Sequence, residues 1–195
     1  MKGATPVQVR VAFGTRQRLA DRLRVEKTRR QEILAEPHWR PAKGTTAEAR
    51  AQLRARARAH LAQLRRAGEL CDSVDVLMTH AVRAELAERG WDHPWPVPPP
   101  GAPRSGRWPG SRDRSWPEAI PMRLPAELAE WVYCGCWHTS APAIAALRAW
   151  RDSHPEAITA RNNPALYAEY EALANQVTTP GDVLRAAALR ALSPA

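Results

Sequence analysis

The chain is poor in cysteine, and it lacks any long hydrophobic run. Its three cysteines, Cys71, Cys134 and Cys136, are an odd set that does not suggest a secreted disulfide scaffold. The sequence contains no run of about 18 apolar residues, which is the length that a membrane-spanning helix needs. The first ten residues, MKGATPVQVR, lack the apolar centre of a signal peptide. These absences predict a cytoplasmic protein.

Sequence motifs of familiar catalytic sites are missing as well. There is no glycine-rich phosphate loop, no G-x-S-x-G elbow and no paired acidic motif of a nuclease. One cluster, Cys134-Gly135-Cys136-Trp137-His138, could hold a metal, but zinc sites use four ligands, usually in pairs two to four residues apart. Buried structural cysteines are the expectation there. The sequence predicts no enzyme, no catalytic residues, no cofactor and no metal.

Acidic residues are scarce in one third of the chain. Residues 1–66 carry 17 Lys/Arg against five Asp/Glu, whereas residues 67–195 carry 12 against 15. A GC-rich coding sequence would explain why 26 of the 29 basic residues are arginine, but not why acids are missing from one region only. A local excess of positive charge attracts polyanions, either nucleic acid or an anionic membrane surface. Helices that lie on a membrane anchor with Trp and Phe, whereas the apolar faces of the helices predicted here carry leucine and alanine. Nucleic acid is therefore the favoured partner, with a nucleoid-associated location and no membrane partner.

Hydrophobic periodicity predicts a mainly α protein with two short β-strands. Residues 6–13 alternate, with Val7, Val9 and Val11 on one face, and residues 118–124 alternate again. Helices are predicted at 15–35, 46–67, from 72 or 73 to 89, from 125, from 140, at 163–176 and at 180–192. Their predicted N-terminal caps are Thr15, Thr45, either Asp72 or Ser73, Ser140 and Thr179.

The middle of the chain has the composition of a linker. Residues 91–117 hold eight of the 18 prolines and four of the eight tryptophans. The predicted organisation is a basic strand-plus-helices unit at 1–90, a linker at 91–117 and a second strand-plus-helices unit at 118–195. A passive spacer is one interpretation of the linker. The other is that some of its tryptophans pack onto a domain surface or a protein partner: Trp91, Trp95, Trp108 and Trp116.

The two units echo each other in sequence. Asp75-Val76-Leu77 recurs as Asp182-Val183-Leu184, and the Ala/Leu/Arg run that follows recurs at the same offset of 107 residues. Chance matching is easy in a composition rich in alanine, leucine and arginine. The sequence therefore leaves a true duplication and a coincidence equally open.

The strand, proline and helices in AIPMRLPAELAEW and TSAPAIAALRAW resemble the ribbon–helix–helix DNA-binding family. The resemblance covers residues 118–152 and, more loosely, residues 5–35. It implies that two strands pair as an antiparallel ribbon that enters the major groove, here within a single-chain pseudo-dimer. Pro121 has no N–H, so it must then lie at an unpaired position. Two edge strands in a helical domain are the alternative.

The resemblance also implies which residues contact DNA. The outward side chains Gln8, Arg10 and Arg123 would read base edges, since Arg suits guanine O6/N7 and Gln suits adenine N6/N7. A predicted helix N-terminus near Thr139 and Ser140 would hold a backbone phosphate.

Arginines recur every four residues in the second predicted helix and so share one face. Like charges at this spacing repel each other, and an external polyanion would relieve that repulsion. The predicted phosphate ligands in the first third are Arg16, Arg18, Arg22, Arg24, Lys27, Arg29, Arg30, Arg50, Arg54, Arg58 and Arg65.

The leading hypothesis is a sequence-specific double-stranded DNA-binding protein, such as a transcriptional repressor or a plasmid or phage maintenance factor. A second hypothesis is a protein-interaction module, antitoxin-like or an assembly protein, that binds a partner through residues 91–117. Nonspecific RNA binding is a third, and a homodimer is left open.

Overall fold

We describe a computed structural model over residues 3–103, 108–110, 116–156 and 158–193. A short 3₁₀ turn, Pro37–Trp39, follows the first helix. In chain order the strands and helices are β1 (Ala4–Val11), α1 (Thr15–Ala35), α2 (Ala47–Ala67), α3 (Val74–Glu88), β2 (Glu118–Pro125), α4 (Ala126–Ser153), α5 (Pro164–Ala174) and α6 (Pro180–Arg190). The prediction of a mainly helical chain with two short strands is confirmed.

The two strands pair with each other in antiparallel orientation, and we call this pair the ribbon. Val9 lies opposite Ile120, and Gln8 lies opposite Pro121. Because side chains alternate between the faces of a strand, the valines of β1 and the apolar residues of β2 share one face. That face is buried at Val9, Val11, Ile120, Met122 and Leu124. The other face points to solvent.

Proline is tolerated in the ribbon because of its position in the ladder. The N–H of Arg123 donates to the Asp75 carboxylate at 2.8 Å instead of to β1. In an antiparallel pair the direction of the N–H alternates along the strand, so Pro121 lies where an N–H would also point away from β1. Pro6, which lies opposite Arg123, has the same relation to β2. Neither proline removes a hydrogen bond from the ribbon.

Helices α3 and α6 lie beneath the ribbon and contact each other. Helix α3 also contacts β2, and α6 contacts β1, so the arrangement is close to twofold symmetric. The buried residues of these helices include Leu77, Met78, Ala81 and Val82 of α3 and Val183, Leu184, Ala187 and Ala188 of α6. One hydrophobic core therefore contains residues from both predicted strand-plus-helices units.

The structural match between α3 and α6 is displaced by one residue from the echo in the sequence. The caps, Ser73 and Thr179, and the four buried positions given above for each helix correspond at an offset of 106 residues. The identical residue types are 107 positions apart. The two helices therefore occupy equivalent places in the fold, but the residues that are identical in sequence do not. The sequence echo does not reflect the structural equivalence of α3 and α6.

The helix starts differ from the predicted caps in two places. Helix α1 begins after Gly14, whose φ of 82° places it in the left-handed region, and Thr15 is the first helical residue instead of the cap. The carboxylate of Glu118 accepts from the N–H groups of Gly14 and Arg16 at 3.0 and 2.8 Å and so takes over the capping. These two N–H groups lower the pKa of Glu118.

In α2 the capping oxygen belongs to Thr46, which accepts from the N–H of Ala49, and not to Thr45. The cap at Thr179 is confirmed. Its side chain and that of Asp182 form a reciprocal capping box.

The prediction of a helix break near Ser140 is wrong. Helix α4 continues from Ala126 to Ser153 and contains Pro142 in its interior. The Ser140 side chain is completely buried, and its hydroxyl bonds both the carbonyl and the N–H of Thr178 at 3.2 and 2.9 Å. Proline lacks an N–H and usually kinks or ends a helix. In α4 the helix is continuous through Pro142, and it has buried residues on both sides of the proline, from Leu128 to Leu147.

The described part of the linker is irregular but lies against α4. Trp91 is buried against Gly135, and Trp95 stacks on His138 with ring centroids 5.5 Å apart. Trp108 is buried too and meets Tyr133 edge-on. A passive spacer is therefore excluded for these residues, and the expectation that some linker tryptophans pack onto a domain surface is confirmed.

Replacing Gly135 with alanine tests this packing. A Cβ at Gly135 would lie 2.5 Å from the Trp91 ring, which is too close for any real contact. We expect Gly135→Ala to lower the free energy of unfolding by about 1–3 kcal/mol, although alanine favours helix by up to about 1 kcal/mol. In a Trp91→Leu background the same change should be neutral or stabilising. Denaturant unfolding of the four proteins measures this, and equal losses in both backgrounds would contradict the contact.

Candidate nucleic-acid interface

The solvent face of the ribbon contains all three predicted base readers. Gln8, Arg10 and Arg123 are exposed. Arg10 lies opposite Ala119, and Arg123 lies opposite Pro6. The two arginines thus lie on different strands, two residues to either side of the Gln8–Pro121 pair. At about 3.3 Å per residue they are separated by roughly 13 Å along the ribbon.

Side chains near the N-terminal ends of α6 and α3 hold the two edges of the ribbon. On the β1 edge, the Arg185 guanidinium donates to the carbonyl of Arg10 at 3.3 Å and to Asp182 at 2.6 Å, and it lies over the Trp116 ring. On the β2 edge, Asp75 accepts from the N–H of Arg123. Both contacts are made to backbone groups of predicted base readers, the carbonyl of Arg10 and the N–H of Arg123. The Arg10 side chain is left with one long contact, 3.5 Å, to the carbonyl of Pro117.

Arg185 and Asp75 are positioning residues that the sequence does not reveal. Arg185 is 175 positions from its partner Arg10, and Asp75 is 48 positions from Arg123. Burial of Asp182 raises the pKa of its carboxyl, but the hydrogen bonds from Thr179 and Arg185 outweigh burial, and the net pKa is lowered. At neutral pH Asp182 is therefore the charged anchor for Arg185.

Helices α1 and α2 and the connection between them form the arginine segment, residues 15–67. Most of its predicted phosphate ligands are exposed. Arg50, Arg54 and Arg58 are exposed and lie along one side of α2. Leu61, the buried residue of the helix, is three positions after Arg58 and lies beside this row. Within the described parts of the chain these three arginines have no ion pair. The other exposed members of the predicted set are Arg16, Arg18, Arg24, Lys27, Arg29 and Arg30.

Some basic residues of the segment are paired internally. Arg65 binds Asp72 through two hydrogen bonds, at 2.7 and 2.6 Å, and the Asp72 side chain is only 2% exposed. Arg30 is 3.6 Å from the same carboxylate. The half-buried Arg22 is 3.6 Å from Glu26, and Arg24 is 2.9 Å from Asp21. Arg65 is therefore occupied within the fold, which corrects its selection as a free phosphate ligand.

The buried carboxylates near Arg65 attach α1 to the turn before α3. Glu26 of α1 accepts from the N–H of Cys71, and Asp72 receives Arg65 from α2 and Arg30 from α1. The hydrogen bonds from Arg65 lower the pKa of Asp72, and those to Asp72 raise the pKa of Arg65. Asp72 is thus ionised throughout the neutral range, and the pair positions α2 relative to α3.

Replacing Asp72 with asparagine should show this role. We expect Asp72→Asn to lower the free energy of unfolding at pH 7 by about 2–3 kcal/mol, because Arg65 loses its charged partner. A carboxyl with a lowered pKa stabilises the fold above its unfolded pKa, and that stabilisation is lost as the pH falls through the folded pKa. The difference between the two proteins should therefore begin to shrink as the pH falls below about 4.

The control for Asp72→Asn is Asp21→Asn, which removes an exposed i, i+3 pair with Arg24. Exposed pairs contribute little, so a loss below about 0.5 kcal/mol is expected. Denaturant unfolding from pH 3 to 8 measures both variants. A pH-independent difference for Asp72→Asn would contradict the assignment.

Thr139 and Ser140 do not lie at a helix N-terminus. Both are inside α4, where the N–H groups face carbonyls of the preceding turn, and the Ser140 hydroxyl is used by Thr178. A helix N-terminus holds phosphate through N–H groups that have no partner within the helix. The physical basis for the predicted phosphate contact at these two residues is therefore absent.

The cysteines are buried thiols. Burial raises the pKa of Cys136 and of Cys71, which keeps both protonated near neutral pH. His138, the third member of the Cys-x-Cys-x-His cluster, stacks on Trp95 and bonds the carbonyl of Pro96. Among the residues that the structure describes, no group of three or more His, Cys, Asp or Glu is arranged to hold a metal ion.

None of the described helices combines the length and the apolar character that crossing a bilayer requires. Comparison of the chain with protein-family models, with curated proteins and with solved structures found no match.

Proposed function

We propose that this chain is a sequence-specific double-stranded DNA-binding protein, a repressor or a plasmid or phage maintenance factor. The observation that supports the proposal is the pairing of β1 with β2, which presents Gln8, Arg10 and Arg123 together on one exposed face. The major groove of B-DNA is wide enough to admit a two-stranded ribbon. On this proposal the chain is a single-chain ribbon–helix–helix pseudo-dimer, with α3 and α6 as its central helices.

The chemistry of the three side chains fits recognition of bases. Arginine can donate two hydrogen bonds to O6 and N7 of guanine, and glutamine can pair with N6 and N7 of adenine. The backbone of Arg10 and of Arg123 is fixed by Arg185 and Asp75. The side chains therefore start from a rigid base, which lowers the entropy lost on binding. Binding, and not catalysis, is the role assigned to this surface.

The arginine segment supplies the affinity that does not depend on sequence. Exposed arginines that bind phosphate release condensed counterions, so the association constant falls steeply with salt. If about six of them bind phosphate, the logarithm of the constant falls with that of the salt concentration at a slope of about −5. This contribution holds the protein on any duplex while the ribbon selects a site.

The experiment that tests the proposal is selection of duplexes from a random library by the full chain, followed by competition. A preferred duplex should emerge and should outcompete random duplex, structured RNA and vesicles of an anionic phospholipid at matched salt. Enrichment of RNA, or binding to vesicles with no duplex preferred, would overturn the proposal. The protein-partner hypothesis is less well supported, because Trp91, Trp95 and Trp108 are packed against α4.

A further inference from the structure

We infer that one copy of this chain binds a non-palindromic DNA site in a single orientation. The inference rests on the proposed function and extends it to the symmetry of the target. It has three structural grounds: the ribbon is complete within one chain, its two strands present different side chains, and the stretches of chain that follow the two strands carry net charges of opposite sign.

Both halves of the ribbon and its support come from the same chain. The buried faces of β1 and β2 are covered from below by α3 and α6, and residues of all four elements belong to one core. The edge of β1 is held by Arg185, and the edge of β2 by Asp75. A second copy is not needed to complete the surface that would enter the groove.

The exposed face of the ribbon is symmetric at its ends but not at its centre. A twofold axis through the Gln8–Pro121 pair relates Arg10 to Arg123, since each lies two residues from that pair on its own strand. The same axis relates Gln8 to Pro121, and proline has no side-chain donor or acceptor. The two ends can read equivalent bases, whereas only one strand can contact a base at the centre.

The charges attached to the two strands differ more strongly. Residues 12–72, between β1 and the cap of α3, carry 15 Lys/Arg and seven Asp/Glu. Residues 126–179, the corresponding stretch between β2 and α6, carry three Lys/Arg and six Asp/Glu. Helix α1 of the basic stretch contacts β2, as does α3, which follows that stretch. The acidic stretch leads into α6, which contacts β1, although its helix α4 contacts both strands. Phosphate attraction is therefore concentrated on one side.

These differences make the two orientations on DNA unequal in energy. Reversing the chain on its site would exchange Gln8 with Pro121 over the central base pair. It would also move the basic stretch to the sugar-phosphate backbone of the other DNA strand. A palindromic site could match both arginines but not the unlike centre or the one-sided charge, so the preferred duplex is expected to be asymmetric at its centre and to extend beyond the ribbon on one flank only.

The test uses a DNA-cleaving iron chelate attached to one introduced cysteine. The native cysteines are buried, and Ala51 of α2 and Ala165 of α5 are exposed, so Ala51→Cys and Ala165→Cys can be labelled selectively, with labelled wild type as the control. On the selected duplex, Ala51→Cys should cut on one flank only. Ala165→Cys should cut weakly, or on the opposite flank. Sedimentation of the unlabelled complex should give one chain per duplex.

Two chains per duplex, or equal cutting on both flanks from Ala51→Cys, would overturn the inference and leave the proposed function intact. Failure to select any duplex would instead remove the proposed function, and the inference with it. The two failures are therefore distinguishable.

Discussion

Arg10→Ala is expected to weaken binding to the preferred duplex by about 1–3 kcal/mol, or roughly 5- to 150-fold, while affinity for random duplex changes little. The loss arises because the arginine can no longer donate two hydrogen bonds to a guanine. Those hydrogen bonds form only on the duplex that has the guanine at this position, so affinity for random duplex is little changed. Arg123→Ala should have an effect of the same size at the other end of the site. Titration of both duplexes at one salt concentration measures the ratio.

Arg148→Ala is the matched control for these substitutions, because it removes one exposed arginine from α4, away from the ribbon. It should leave the preference for the selected duplex unchanged. The backbone carbonyl of Arg10 still receives Arg185 in the alanine variant, so the ribbon edge is preserved. A preference that survives both Arg10→Ala and Arg123→Ala would show that the ribbon does not read the bases.

Removing Arg50, Arg54 and Arg58 together is expected to reduce the salt dependence of binding on every duplex. With about 0.9 counterions released per phosphate contact, the slope should become shallower by about 2.5–3. The preference for the selected duplex should remain. Alanine favours helix, and the substitutions relieve like-charge repulsion along α2, so loss of the helix would not account for the result. Titrations across salt concentrations, with circular dichroism as the check on folding, measure it.

The control for the triple variant removes the same net charge elsewhere. Arg83, Arg148 and Arg161 are exposed and lie outside the arginine segment. Replacing all three with alanine should change the slope by less than about 1. If both triple variants lower the slope equally, net charge alone would account for binding, and the arginine segment would have no local role.

Local sequence patterns predicted much of the fold. The alternating valines of β1 identified its buried face, and Gly14 and Pro37 gave both ends of α1. The reason is that strand alternation and helix termination depend on a few neighbouring residues. Exposure of Gln8, Arg10 and Arg123 followed from the same alternation, because one face of each strand is buried.

Contacts between distant residues could not be predicted in this way. Ser140 and Pro142 have the pattern of a helix start, but α4 continues through both, and the Ser140 hydroxyl bonds Thr178 in another part of the chain instead of capping a helix. The cap of α1 comes from Glu118, 104 positions after Gly14. Arg65 falls on the predicted basic face, yet Asp72, which lies beyond the end of its helix, pairs with it. The first two pairs have no spacing that a helical or strand period would reveal, and the third extends past the end of α2.

Methylation interference on the selected duplex tests the central claim most directly, because the N7 atom of guanine lies in the major groove and is the atom that an inserted arginine would contact. Premethylation of two guanines on opposite strands, about four base pairs apart, should block binding of the wild-type chain. Arg10→Ala should become insensitive to one of these guanines, and Arg123→Ala to the other. Binding that is indifferent to N7 methylation throughout the preferred duplex would contradict entry of the ribbon into the major groove.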